Sequence, residues 1–197
     1  PVSGSLGISH TRWATHGLPS DANAHPHLDK SGKLALVHNG IIENYVELRQ
    51  KLSRLKHRFL SQTDTEVLSH WVGHHLDKLA KGKPLTPEIV MGALQSATRE
   101  ATGTYAIAVV HSDLPRQLFG ARRGSPLVVG IGQGENFLGS DVSPIATHTR
   151  EVLYLHDGDI VHVTERNVSV MANGRAVRRQ VASVHWSPES AEKGDYA

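Results

Sequence analysis

The run from Thr104 to Leu138, TYAIAVVHSDLPRQLFGARRGSPLVVGIGQGENFL, decides the fold class. Its apolar residues come in short bursts at Tyr105–Val110, Leu118–Ala121, Leu127–Ile131 and Asn136–Leu138. Turn residues bound each burst, so the pattern reads as strands joined by tight connections. Strands this close in sequence pair antiparallel, because a parallel return needs a long crossover. The pattern continues in Glu151–Leu155 and Asp159–Thr164, which flank His156-Asp157-Gly158. It ends in Val168–Met171 and Ala176–Val181, on either side of the hairpin pair Asn173-Gly174.

The preceding residues follow a helical period. Thr63-Asp64-Thr65-Glu66 has the form of a capping box. Behind it Val67, Leu68, Trp71, Val72, His75, Leu76 and Leu79 share one face, which runs out near Gly82. Thr86 and Pro87 open another helix, with Ile89, Val90, Ala93, Leu94 and Ala97 inward and Gly103 as its stop. Tyr45, Leu48, Leu52 and Leu55 make an earlier one, capped by Asn44. Before these, Leu34–Val37 reads as a buried strand that ends in a His38-Asn39-Gly40 turn, and Leu6–Thr15 alternates weakly. A block of helices followed by a block of hairpins is an α+β arrangement, not a βαβ one.

Composition narrows the function. Of 197 residues, 39% are hydrophobic and 20% charged, which is a globular balance. The net charge is only +2, and no run of five like charges occurs, so a nucleic-acid partner has no electrostatic support. No apolar stretch reaches the ~18 residues of a membrane helix. The first residues, Pro1 to Ser9, lack a signal-peptide layout, and the absence of cysteine is consistent with the expected cytoplasmic location, with no membrane role expected. There is no cysteine, so disulfides, cysteine metal sites and a thiol nucleophile are excluded within these residues. The 14 histidines invite a metal reading. His25-Pro26-His27 and His74-His75 nevertheless lack recognised ligand spacing, and His75 falls on an apolar face, so no metal is expected. Gly130-Ile131-Gly132-Gln133-Gly134 lies between strands and makes a poor phosphate loop.

Three places have residues suited to chemistry. In His10–Gly17, HTRWATHG, alternation puts Arg12 and His16 on one side and Thr11, Trp13 and Thr15 on the other. The Arg12 fork suits a carboxylate; the alternative is a solvated strand end with a packed Trp13. At His38-Asn39-Gly40, the Asn39 amide and the next backbone N–H suit an oxyanion, with Gly40 admitting a substrate close to the backbone. An ordinary Asn-Gly turn explains the same pair. Asp64 either complements the dipole of its helix or holds a cationic group such as a ligand amine.

These segments together resemble the glutaminase domains of class II glutamine amidotransferases, specifically the glucosamine-6-phosphate synthase (glutamine–fructose-6-phosphate aminotransferase) branch. The resemblance rests on HTRWATHG at His10–Gly17, NAHPH at Asn23–His27, VHNGIIEN at Val37–Asn44 and TDTE at Thr63–Glu66. It also rests on RGSPL at Arg123–Leu127, GSD at Gly139–Asp141 and EKGDY at Glu192–Tyr196. Other class II amidotransferases, such as amidophosphoribosyltransferase and asparagine synthetase, carry looser forms of the first motif and lack the IIEN of Ile41–Asn44.

The resemblance implies an N-terminal-nucleophile hydrolase fold, a four-layer αββα sandwich of antiparallel sheets, here truncated at its N-terminus. It implies a glutaminase domain over 1–186 and, at 187–197, the start of a linker to a sugar-phosphate isomerase domain of the same full-length chain. It implies that L-glutamine is bound, with Arg12 anchoring the carboxylate and Thr15 and His16 lining that end. Trp13 would belong to a closing loop, Asp64 would hold the α-amine, and Asn39 and Gly40 would form the oxyanion hole. No cofactor is implied, and the full-length protein would be a homo-oligomer. The family's nucleophile is a terminal cysteine, which this chain lacks, so the expectation is that these residues alone release no glutamate. The glutaminase domain of another class II amidotransferase is the alternative within the superfamily, and a catalytically dead glutamine-binding module is the alternative of a different class.

Overall fold

Thr63 starts the longest helix, as the sequence predicts: its Oγ1 accepts the Glu66 N–H at 3.1 Å. The structure, a computed structural model, describes residues 4–12 and 17–184. Helix α1 spans Tyr45–Arg54, α2 spans Asp64–Ala80 and α3 spans Pro87–Glu100. Only half of the capping box forms. The Glu66 carboxylate accepts instead from Leu60 N, Ser61 N and Ser61 Oγ, each at 2.7 Å. Three donors satisfy a buried carboxylate better than the single reciprocal bond would. Asn44 holds the N-cap position of α1, where its O accepts the Leu48 N–H at 3.1 Å, but its side chain is used elsewhere. Its Nδ2 donates to Glu100 O at 2.8 Å and its Oδ1 accepts from Thr102 N at 2.9 Å, which clips the start of α1 to the end of α3.

The strands are β1 His27–Leu28, β2 Leu34–Ile42, β3 Gly103–His111, β4 Leu118–Arg123, β5 Val128–Ile131 and β6 Asn136–Gly139. They continue with β7 Glu151–Tyr154, β8 Asp159–Val163, β9 Val168–Ala172, β10 Arg175–Val177 and β11 Val181–Ser183. One sheet has the order β1-β2-β3-β4-β8-β9-β10 and the other β11-β7-β5-β6. Their pairings among the described residues are antiparallel, as the hairpin density predicts.

Alternation along β2 and β3 sets the layers. Leu34, Leu36, Ile42, Ile107 and Val109 face the helices and join Val67, Leu68 and Val72 in one core. The opposite face of the same sheet, with Ala106, Leu118, Val161 and Val163, packs on Leu127, Val129 and Leu153 of the second sheet. A helical layer, a large sheet and a second sheet thus stack in order. On the outer face of the second sheet, among the described residues, the turns around Val142 and Ile145 cover Val128 and Val152.

Several local expectations are corrected. Residues 4–12 form no strand; Ser5, Leu6, Gly7, Ile8, Ser9 and His10 line the space between the sheets. His38-Asn39-Gly40 is not a turn but the middle of β2, which runs on to Ile42 because β3 pairs with it along its whole length. His156-Asp157-Gly158 does not close a hairpin. It carries the chain from β7 in the second sheet to β8 in the first. The predicted strand Ala176–Val181 is two strands in different sheets, broken at Arg178-Arg179-Gln180, where Arg179 turns inward onto the buried Asp159. Asn173-Gly174 is a hairpin turn, with both residues at positive φ as a type I′ turn requires.

Candidate active site

The site is built where the N-terminus of α2 meets the edge of β2 that carries β1. Backbone groups of a strand point alternately to its two edges. Leu34 O accepts from Asp29 N on the β1 side, so Leu36, His38, Gly40 and Ile42 present their N–H groups to that edge as well. Strand β1 pairs only with Ala35 and Leu36, and among the described residues the edge beyond is open. Asp64, the first residue of α2 and 3% exposed, fills part of it: its Oδ2 accepts the Ile42 N–H at 2.8 Å. The Gly40 N–H therefore points out of the same edge, two residues from the Asp64 carboxylate.

Side chains of β2 alternate between layers. His38 is buried and faces the helices, with Nδ1 3.1 Å from Thr65 Oγ1, 3.9 Å from Asp64 Oδ2, and Nε2 3.4 Å from Thr104 O. Asn39 faces the other way and is exposed. It borders a cavity of about 730 Å³ between the sheets, lined also by Ala106, Ala108, Leu118, Leu127 and Leu138. The register Asn39↔Ala106 places it at one end of that cavity, with Leu118 and Val163 at the far end of β3. Gly40 has a structural requirement of its own. Its φ is +138°, and a Cβ there would lie 2.2 Å from Thr104 O, so the close approach it permits is to a neighbouring strand.

Arg12 is half-buried, and its Nη2 donates to Gly17 O at 3.3 Å. It borders a ladder of histidines, in which the His10 and His25 rings are 4.4 Å apart and those of His25 and His27 are 5.2 Å apart. Burial, then the neighbouring His10, His27, His38 and Arg12, pushes His25 down to about 3. Burial and Arg12 lower His10. His27 is lowered by burial despite Glu66 and Asp64, and Arg12 adds to the lowering. Arg12 and Asp64 thus act on His27 in opposite senses. These lowered values keep the ladder neutral near pH 7.

Of the sequence-predicted residues, the structure thus gathers Asp64 and Gly40 on one strand edge, with Asn39 across the sheet from His38 and Arg12 near the histidine ladder. Trp13, Thr15 and His16 lie outside the described residues. Three contributors had no assigned role. His38 fastens β2 to Thr65, His27 Nε2 lies 2.9 Å from Thr63 Oγ1, and the buried Asn23 joins two loops. Their signal was polarity inside quoted motifs. A polar residue flanked by apolar neighbours is buried only when it has partners. The glycine-rich 130–134 stretch is the β5–β6 turn, where Gly132 N donates to Glu135 O and Asn136 Oδ1.

The glutamine amidotransferase domain family matches residues 10–147, which include every described residue of this site. The chain belongs to the glutamine amidotransferase domain family. Among its relatives is a Thermus thermophilus protein named glutamine–fructose-6-phosphate aminotransferase (isomerizing), 48% identical over all 197 residues. A Methanothermobacter thermautotrophicus protein of the same name is 47% identical over 196 residues. The chain spans 31% and 32% of those two relatives, about a third of their length. Among solved structures, the amidotransferase fold recurs in a B. subtilis glutamine phosphoribosylpyrophosphate amidotransferase complexed with ADP and GMP. There the TM-score is 0.62 at 20% identity, over 83% of this chain and 34% of that one. The layered α+β arrangement of two antiparallel sheets is thus shared with that amidotransferase structure. No helix among the described residues is long and apolar enough to cross a membrane.

Proposed function

We propose that this amidotransferase domain, over residues 1–186, is the glutamine-hydrolysing part of a glutamine–fructose-6-phosphate aminotransferase. Residues 187–197, outside the described residues, would begin the linker to a sugar-phosphate isomerase domain. The reading is carried by identity of 42–48% across nearly the whole chain to relatives of that one name. In this reading Arg12 takes the α-carboxylate of L-glutamine and Asp64 its α-ammonium. Trp13, Thr15 and His16 line the same end. The Gly40 N–H and the Asn39 amide stabilise the oxyanion formed when the carboxamide carbon is attacked. Ammonia leaves as the C–N bond breaks, and water then releases glutamate from the acyl intermediate. The ammonia is passed to fructose 6-phosphate to give glucosamine 6-phosphate.

The edge geometry supports the assignment chemically. An N–H on an unpaired strand edge is available to an oxygen, and a carboxylate beside it complements the ammonium of the same substrate. The 197 residues contain no cysteine, so a thiol nucleophile comes from outside them. The experiment measures glutamate release from L-glutamine, by the complete protein that carries this chain and by these residues alone, with intact mass recorded. Release with glucosamine 6-phosphate formation by the complete protein, and none by the residues alone, is the expected result. No release by the complete protein overturns the function. Release by the residues alone at their own mass overturns the thiol mechanism.

A further inference from the structure

Asn23 is 4% exposed, and both ends of its carboxamide are used. Its Nδ2 donates to Leu18 O at 2.8 Å, in the loop that follows Arg12. Its Oδ1 accepts the Gln62 N–H at 2.9 Å, two residues before Asp64. The Arg12 side is itself tied to this loop, since Arg12 Nη2 donates to Gly17 O. The fit is close: a Cβ on Gly17 would lie 2.6 Å from Asn23 Nδ2 and 3.0 Å from Gln62 Cβ. A second tie from the same stretch lands beside Asp64, where His27 Nε2 meets the cap hydroxyl of Thr63 at 2.9 Å. One side chain therefore bridges the two segments that carry a guanidinium and a carboxylate, through the two ends of a single planar amide.

We propose that Asn23 is a positioning residue that fixes the separation of Arg12 and Asp64, and so the match to an α-amino acid that presents a carboxylate to one and an ammonium to the other. The proposal rests on the glutamine-binding reading given above. A planar amide held at both ends is a rigid spacer. Without it, each anchor keeps its own chemistry while the span between them relaxes, and only a ligand that engages both anchors suffers.

The test uses the complete protein and three ligands. L-Glutamine gives KM and kcat. L-Glutamate carries both the carboxylate and the amine, and glutarate lacks the amine; each gives an inhibition constant. In Asn23→Ala the KM for glutamine and the inhibition constant of glutamate rise roughly tenfold, while kcat and the glutarate constant stay within about twofold. Asn23→Ser, whose short hydroxyl can keep at most one of the two bonds, gives the same split and keeps the test open if Asn23→Ala fails to fold. Equal weakening of glutamate and glutarate, or no weakening of either, overturns the proposal and leaves the glutamine reading intact. An unchanged KM in both Arg12→Ala and Asp64→Ala overturns the glutamine reading and the proposal together.

Discussion

Asp64 Oδ2 accepts the Ile42 N–H at 2.8 Å, so the first residue of α2 holds the end of the strand that contains Asn39 and Gly40. One carboxylate thus has two tasks. It satisfies a strand edge that β1 leaves uncovered, and it places a carboxylate on the same edge as the Gly40 N–H, at Ile42 two residues along.

The two tasks separate in Asp64→Asn. The amide oxygen still accepts from Ile42 N, so the melting temperature changes by only a few degrees. The charge that complements an ammonium is gone, and a charged hydrogen bond is worth about 1.5–3 kcal/mol, so KM for L-glutamine rises roughly 10- to 100-fold with kcat little changed. Steady-state kinetics beside a thermal melt check this. An unchanged KM assigns Asp64 to the fold alone.

Gly40→Ala tests the strand rather than the ligand. The new Cβ would sit 2.2 Å from Thr104 O and 2.8 Å from Thr104 C, at a φ of +138°. Backbone cannot yield there without parting β2 from β3, so the loss of stability exceeds about 3 kcal/mol in urea titration. Gly32→Ala is the control. Its φ is +73° with nothing within 4 Å of the new atom, so the cost is conformational only, about 1 kcal/mol.

Much of this was legible in the sequence. Thr63, Thr86 and Pro87 marked helix starts because capping chemistry is local, and Asn173-Gly174 marked its hairpin because positive φ at both positions is a local demand. What failed was non-local. Asn39-Gly40 has turn composition, yet pairing with Ala106 and Tyr105 keeps it extended. His156–Gly158 has hairpin composition, yet Gly158 N donates to Arg122 O in the other sheet and Asp157 Oδ1 accepts from Gly124 N. At the site, Arg12, Asn39, Gly40 and Asp64 stood out by residue type and resemblance. Asn23, His27 and His38 act by fastening segments far apart in the chain, which no local spacing encodes.

The histidine ladder sets a pH dependence. His25 is pushed from the ordinary 6.5 down to about 3, by burial first and then by its neighbours His10 and His27. Below pH 6.5 the unfolded chain takes up a proton there that the native state refuses until about pH 3. Stability is therefore full above 6.5 and falls as the pH drops through that interval, by at most about 1.4 kcal/mol per pH unit for this one group. His25→Gln flattens the decline between pH 6.5 and 4 in urea midpoints. An unchanged slope would show that His25 is not held neutral.

Arg179 and Asp159 join two of the three places where the described chain changes sheets. Asp159 is fully buried at the start of β8, and Arg179 follows β10 on the way to β11. The guanidinium donates Nε to Oδ2 at 2.8 Å and Nη2 to Oδ1 at 2.6 Å, and His156 N adds a third bond at 2.8 Å. Burial pushes the Asp159 carboxyl up, but Arg179 and the His156 N–H overcome it and hold it below the usual range. Arg179→Met strands a buried carboxylate and costs roughly 3–5 kcal/mol at pH 7. Asp159→Asn in the same chain recovers part of that loss, because the stranded charge is then absent. The sign with pH follows. The wild-type pair contributes fully above the ordinary carboxylate pKa and fades as the pH falls through the lowered native value. The Met variant relieves its stranded charge by taking up a proton, so its deficit narrows as the solution is acidified toward pH 4. Denaturation at pH 7 and pH 4 reads both effects, and a deficit that widens on acidification would refute the ionised pair.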